Sequence, residues 1–170
     1  MKILVVIDMQ VDFITGSLAN KEGEKIVGKI KDKIDNYISN GDEVIFTQDT
    51  HPENYLNSQE GKKLPVEHCI RGTEGWRIVP QLRYNECIIF EKPTFGSLEL
   101  AKYLSTLEDV EEIEFVGVCT DICVISNAMI VKAAMPEVTI KVDSSCCAGT
   151  TVENHENALK AMSMCQIDII

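Results

Sequence analysis

Short β-branched runs recur along this chain, each followed by a helical pattern or a cluster of turn residues. Residues 2–7, 43–47, 86–90, 113–118 and 138–142 read as buried strands, and 167–170 can add a last one. Between them, Ile26, Ile30, Ile34, Tyr37 and Ile38 recur at helical spacing and stop at Asn40-Gly41. Leu98, Leu100, Ala101, Leu104 and Leu107 mark a second helix, and residues 122–134 a third that Met135-Pro136 closes. Thr150-Thr-Val-Glu153 is a capping box for a final helix ending near Met164. Strands alternating with amphipathic helices join through right-handed crossovers. The expected fold is therefore α/β: a Rossmann-like, three-layer αβα sandwich on a mainly parallel sheet of roughly six strands. With 170 residues, 45% of them hydrophobic, the chain suits one domain over 1–170.

Three intervals depart from this rhythm. Residues 52–75 have little periodicity and read as a long functional loop, 76–82 as a short helix, and 144–149 as a small-residue loop after a strand. No internal repeat interrupts the pattern.

Charge and cysteine usage narrow the partners. Sixteen Lys and Arg against 27 Asp and Glu give a net charge of -11, which repels a nucleic-acid backbone or an anionic membrane surface. The N-terminal apolar run is too short for a signal peptide, is stopped by Asp8, and precedes no cleavage site. Seven cysteines without a regular framework fit reduced thiols. A cytoplasmic protein is expected, with neither nucleic acid nor membrane as partner.

In parallel sheets ligands bind at the carboxyl ends of the strands, and there this chain places Asp8, Asp49, Lys92 and the segment 119–123. Cys123 follows a small-residue turn at the start of a helix, where free N–H groups and the helix dipole favour a thiolate. It is the candidate nucleophile, against the alternative of a small buried hydrophobe. Asp8 is the candidate base and acid, and Lys92 the cation that holds carboxylate and thiolate as anions. Asp49-Thr-His51 and His68 supply a carboxylate and two of the chain's three histidines, a set suited to zinc, iron or manganese. Asp12 is read as orienting the Asp8 strand end, Asp121 as supporting the turn before Cys123, and His155 as a solvated helix residue. Cys146-Cys147 reads as tight packing near the site, with a redox pair as the alternative, and Cys69, Cys87 and Cys165 as fillers.

Three segments, Asp8-Met-Gln-Val-Asp-Phe13, Lys92-Pro-Thr-Phe-Gly-Ser97 and Gly117-Val-Cys-Thr-Asp-Ile-Cys-Val124, together resemble the isochorismatase-like cysteine hydrolases over essentially the whole chain. The resemblance implies an Asp8, Lys92 and Cys123 triad. It also implies an oxyanion hole from the backbone N–H groups of Cys119 and Cys123, and a cis peptide between Val118 and Cys119. Asp49-Thr-His51-Pro52 and His68-Cys-Ile-Arg-Gly-Thr-Glu-Gly75 are similar to the metal-binding segments of the nicotinamidases.

That branch implies a divalent metal, zinc ahead of iron or manganese, held by Asp49, His51 and His68 with Glu60 as a further candidate. It implies nicotinamide hydrolysis to nicotinate and ammonia through a cysteine thioester, as in NAD salvage, with Phe13 packed on the substrate ring, and a homo-oligomer. The chain departs from the branch at Lys63-Leu-Pro-Val-Glu67, where an aromatic residue is common, so Leu64 or Trp76 is expected to cover the other ring face. The segment 15–18 also carries one glycine where the family often has two. The alternatives are another small amide, ureido compound or vinyl ether as substrate, a non-catalytic binding module, or a redox protein with a Cys119–Cys123 or Cys146–Cys147 disulfide.

Overall fold

The computed structural model describes residues 1–85 and 87–170, so Glu86, the expected start of the third strand, lies outside the described residues. The strands are β1 (Lys2–Ile7), β2 (Glu43–Asp49), β3 (Ile88–Lys92), β4 (Glu112–Val118), β5 (Thr139–Ala148) and β6 (Asp168–Ile169). They form one six-stranded sheet in the order β3-β2-β1-β4-β5-β6, and every pairing is parallel. The helices are α1 (Val11–Ile14), α2 (Lys21–Ser39), α3 (Gln59–Lys63), α4 (Leu98–Leu104), α5 (Ile125–Ala134) and α6 (Val152–Met164).

β1 is apolar on both faces because the sheet is covered on both. Successive side chains of a strand alternate between faces. Ile3, Val5 and Ile7 pack with Leu100 and Leu104 of α4, Ala128 and Val131 of α5, and Leu159 and Met162 of α6. Leu4 and Val6 pack instead with Ile26, Ile30 and Ile34 of α2. The three-layer sandwich expected from the alternation of elements is therefore observed, with a core on each side of the sheet.

Local chemistry explains where the elements begin. Asn20 caps α2 by accepting from the N–H groups of Glu22 and Gly23, so the helix starts ahead of its first apolar residue, Ile26. The interval 52–75 is not featureless: it contains a 3₁₀ turn, Tyr55–Asn57, and α3, whose first turn Ser58 caps through Gly61. The helix expected over 76–82 reduces to a single turn at Pro80–Leu82. The expected loop at 144–149 is largely strand, because β5 bulges between its pairings Phe115↔Val142 and Gly117↔Cys147 and then rejoins β4. Cys146 and Cys147 consequently enter the two cores on opposite faces of the sheet, a placement that serves packing.

β1 and β4 are neighbours from which the chain winds outward in opposite directions, and this switch point opens a crevice at their carboxyl ends. Ile7 lies beside Gly117, which has φ +117° and whose missing Cβ would press on the Ile7 backbone. Gly117→Ala is expected to lower stability by about 2–4 kcal/mol, from positive-φ strain together with overpacking. Urea unfolding checks this; a loss under about 1 kcal/mol would show that the strands can separate to admit a methyl group.

Candidate active site

The candidate nucleophile is delivered by the end of β4. The Val118–Cys119 peptide is cis, as the sequence resemblance implied. Cys119 is extended, and its carbonyl accepts from the N–H groups of Ile122 (3.0 Å) and Val124 (3.1 Å) in a π turn, Thr120–Val124, that leads into α5. Two neighbours clamp the turn from outside. Asp121 accepts from the Thr150 N–H (2.8 Å) and hydroxyl (2.5 Å), while the Thr120 hydroxyl bonds Nδ1 of His155 at 2.8 Å. His155 is thus half-buried and engaged, unlike the solvated residue expected from the helix pattern. On the inner side Asn127 donates to the carbonyls of Cys123 (2.8 Å) and Phe95 (3.0 Å), tying the turn to the segment after β3.

Lys92 and Asp8 meet Cys123 from β3 and β1. Lys92 is 1% exposed. Its Nζ lies 2.6 Å from Asp8 Oδ2, 3.4 Å from Asp49 Oδ1, 3.1 Å from the Thr94 carbonyl and 3.6 Å from Cys123 Sγ. Asp8, fully buried with φ +47°, takes the Thr47 hydroxyl on Oδ1 at 2.7 Å. Its Oδ2 accepts no aligned hydrogen bond among the described residues.

Electrostatics set the resting protonation. Burial raises the Asp8 carboxyl above its ordinary value, Asp49 adds to the rise, and Lys92 only partly opposes it. Burial likewise pushes the Cys123 thiol well up, with the Asp8 and Asp49 charges adding and Lys92 opposing. Desolvation and the two nearby carboxylates thus favour the thiol, against the thiolate that the helix dipole alone would favour. For Lys92, burial favours the neutral amine, but the charges of Asp8 and Asp49 outweigh it and hold the ammonium.

A second cluster adjoins the first. One ligand atom each from Asp49, His51 and His68 lies within 4.8 Å of the others, and all three residues are buried. Asp49 Oδ2 is 2.9 Å from His51 Nε2 and 3.7 Å from His68 Nε2. Glu60 Oε1, carried by α3, lies 3.7 Å and 3.6 Å from the same two nitrogens. His68 Nδ1 meets the Val66 carbonyl at 2.8 Å, which fixes the tautomer that leaves Nε2 free to ligate. Two imidazoles with one or two carboxylates suit a divalent transition metal, so the residues present fit such an ion.

Tyr55 packs its ring 4.7 Å from His51 and 4.9 Å from His68, and donates its hydroxyl to the Leu64 carbonyl (2.9 Å). Asp12 serves this cluster rather than the Asp8 strand end to which the sequence assigned it. Its Oδ2 accepts the Cys69 N–H at 2.8 Å, directly after His68.

Both clusters open on one cavity of about 490 Å³, lined in part by Phe13, Asp49, Glu60, Leu64, His68, Cys119 and Cys123. Phe13 lies 5.6 Å from the His68 ring centroid. Leu64 reaches the cavity, whereas Trp76 lines a separate groove with Phe46 and Ile89 and donates its indole N–H to the Thr50 hydroxyl. Trp76 therefore does not line this cavity, where the sequence placed it as an alternative to Leu64 over the substrate ring. Phe95 and Ile122 add to the apolar wall, and the sequence gives neither a role at the site. Tyr55, Thr47, Gln10 and Asn127 were also missed. Thr47 and Gln10 had a signal, since both sit at strand ends beside chemistry-bearing residues; Tyr55, in an aperiodic interval, had none.

This strand order, with a thiol, a carboxylate and an ammonium gathered at its switch point, defines an isochorismatase-like α/β hydrolase. The chain belongs to the isochorismatase family: the sequence model of the isochorismatase domain matches residues 2–170. An isochorismatase family protein of Bacillus subtilis, PncA, is 31% identical over 75% of this chain and 76% of its own length. The nicotinamidase of Escherichia coli is 27% identical over 95% of this chain and 89% of its own. The zinc complex of the pyrazinamidase of Pyrococcus horikoshii superposes with a TM-score of 0.87 at 29% identity, covering 99% of this chain and 98% of that one. No helix among the described residues is long and apolar enough to cross a membrane.

Proposed function

We propose that this enzyme is an amidohydrolase of the nicotinamidase type, converting nicotinamide to nicotinate and ammonia through a thioester on Cys123. The observation that carries the reading is that Cys123, Asp49, Glu60 and His68 line one cavity, so a substrate can meet the thiol and the metal-ligating cluster together. The relatives named nicotinamidase and pyrazinamidase support the choice of a heteroaromatic carboxamide.

The thiol begins neutral, and Asp8, whose Oδ2 retains an unbonded lone pair, takes its proton. The sulfur attacks the carboxamide carbon, and the backbone N–H groups of Cys119 and Cys123 stabilise the oxyanion that forms. Asp8 returns the proton to the leaving nitrogen, and ammonia departs from the thioester. Asp8 then deprotonates a water that attacks the acyl carbon, releasing the carboxylic acid and restoring the thiol. Lys92 stays charged throughout, holding Asp8 in place and offsetting the negative charge that passes between Asp8 and Cys123. Asp49, His51 and His68, with Glu60, would hold a divalent ion, zinc by preference, whose Lewis acidity supplies a ligand site for the pyridine nitrogen. Phe13 and Leu64 supply the apolar contacts to the ring. The proposal takes 1–170 as a single domain and a homo-oligomer as the working form, for which the exposed Ile88 and Ile89 of edge strand β3 give an apolar contact surface.

The direct test is ammonia release from nicotinamide by zinc-loaded protein, before and after chelation. Chelation is expected to raise KM and lower kcat/KM by about 10-fold or more, since it removes substrate positioning. No release from folded, zinc-loaded protein would reject nicotinamide as substrate.

The acid limb of kcat/KM reports the base. Asp8 acts only when ionised, and its carboxyl is raised above 3.8, so activity should be lost as pH falls through a value higher than 3.8. A limb at or below 3.8 would remove Asp8 from that role.

A further inference from the structure

Gln10 is fully buried, and its carboxamide is spent on three hydrogen bonds. Oε1 accepts the Asp49 N–H at 2.7 Å, while Nε2 donates to the Asp49 carbonyl and to the Trp76 carbonyl, each at 2.8 Å. One side chain from the segment after β1 thus grips both backbone polar groups of a single residue on β2. The Gln48 amide donates to the same Trp76 carbonyl at 2.7 Å, and the Trp76 indole holds the Thr50 hydroxyl, so the residues flanking Asp49 are braced as well.

The gripped residue is the one whose carboxylate is divided between the two clusters. Asp49 Oδ1 lies 3.4 Å from Lys92 Nζ, and Oδ2 lies 2.9 Å from His51 Nε2. A small rotation of the Asp49 backbone would swing one oxygen away from its partner. Outer groups that orient metal ligands typically alter affinity about 10- to 100-fold when removed. Gln10 lines neither the cavity nor the metal-ligating group, and it has no proton to exchange in the reaction, so it acts through the groups it bonds, of which Asp49 alone belongs to that cluster.

We infer that Gln10 is a positioning residue that orients Asp49 for ligation of a divalent metal ion, a role that rests on the metal-assisted reading above. Gln10→Met has similar length and removes all three hydrogen bonds. Gln10→Glu keeps the size and an acceptor for the Asp49 N–H but loses the donors to the two carbonyls.

The test is zinc affinity of metal-free protein, measured by competition with a chromophoric chelator, so that no turnover is needed. Both variants are expected to bind zinc about 10- to 100-fold more weakly than the unaltered chain. The distant core variant Ile30→Val, which lowers thermal stability without touching the site, should bind as tightly as the unaltered chain. Folded Gln10 variants binding within about twofold of it, a span well below the orienting effect, would overturn the inference. So would failure of both variants to fold, because the side chain would then serve the fold as a whole. An unaltered chain that takes up no zinc would instead overturn the metal-assisted reading itself.

Discussion

Cys123→Ala is expected to lower kcat for ammonia release from nicotinamide by about 10⁴- to 10⁶-fold, the loss typical when a covalent nucleophile is removed. The structure makes the variant a clean one. Lys92 retains its 2.6 Å contact with Asp8, and the cluster of Asp49, His51 and His68 does not involve the sulfur, so folding and zinc affinity should be unchanged. Measuring all three quantities on one preparation separates loss of chemistry from loss of structure. Hydroxylamine added during turnover should divert the acyl group to a hydroxamate in the unaltered enzyme and form none in the variant. Residual activity above about 1% of the original, far more than loss of a nucleophile leaves, would point to attack by water. The second cluster would then become the catalytic centre, as in zinc hydrolases.

Lys92→Met should be the most destabilising single change at the site, costing about 3–5 kcal/mol at neutral pH, as expected when one partner of a buried ion pair is removed. Lys92 and Asp8 are 1% and 0% exposed, so neither charge has water in reserve. Methionine fills the space of the stem but leaves Asp8 without its countercharge and Asp49 Oδ1 without its ammonium neighbour.

The loss should depend on pH in a defined sense. The Asp8 carboxyl is already raised by burial, and without Lys92 it must rise further. The folded variant then keeps a proton that the unfolded chain has released, so its deficit grows as pH rises above the ordinary carboxylate value and shrinks on acidification. Urea unfolding at several pH values checks both the size and the slope. A deficit under about 1 kcal/mol, the worth of an exposed pair, or one independent of pH would mean that the pair is solvated in solution. Activity should fall with stability, since Lys92 also faces Cys123 Sγ at 3.6 Å.

The strands were legible because β-branched runs buried on both faces leave an unmistakable pattern, as in residues 2–7. The sites were legible for a related reason. In a parallel sheet every carboxyl end faces the same edge, so Asp8, Asp49, Lys92 and Cys123 could be gathered before any distance was known. Residues whose work is done through the backbone were not legible in this way. Gln10, Asn127 and Asp12 act by gripping N–H and carbonyl groups of segments far away in sequence, and even a place near a strand end, as Gln10 has, does not record those partners.

β5 illustrates a second limit. Small residues at 144–148 suit a loop as well as a strand, and only the renewed pairing with β4 beyond the bulge decides the matter. Trp76 illustrates a third. A large aromatic next to a site invites a role on the substrate, but the indole N–H needs a partner when half-buried, and Thr50, next to Asp49, supplies it.

The sequence by itself determined the α/β class, the strand-end location of the chemistry and the residue types in both clusters, because periodicity and composition act locally along the chain. Only the tertiary structure decided which apolar groups wall the cavity, that Asp49 is shared between the clusters, and that burial favours the thiol at Cys123. Those outcomes depend on distances and desolvation between groups that the fold alone brings together.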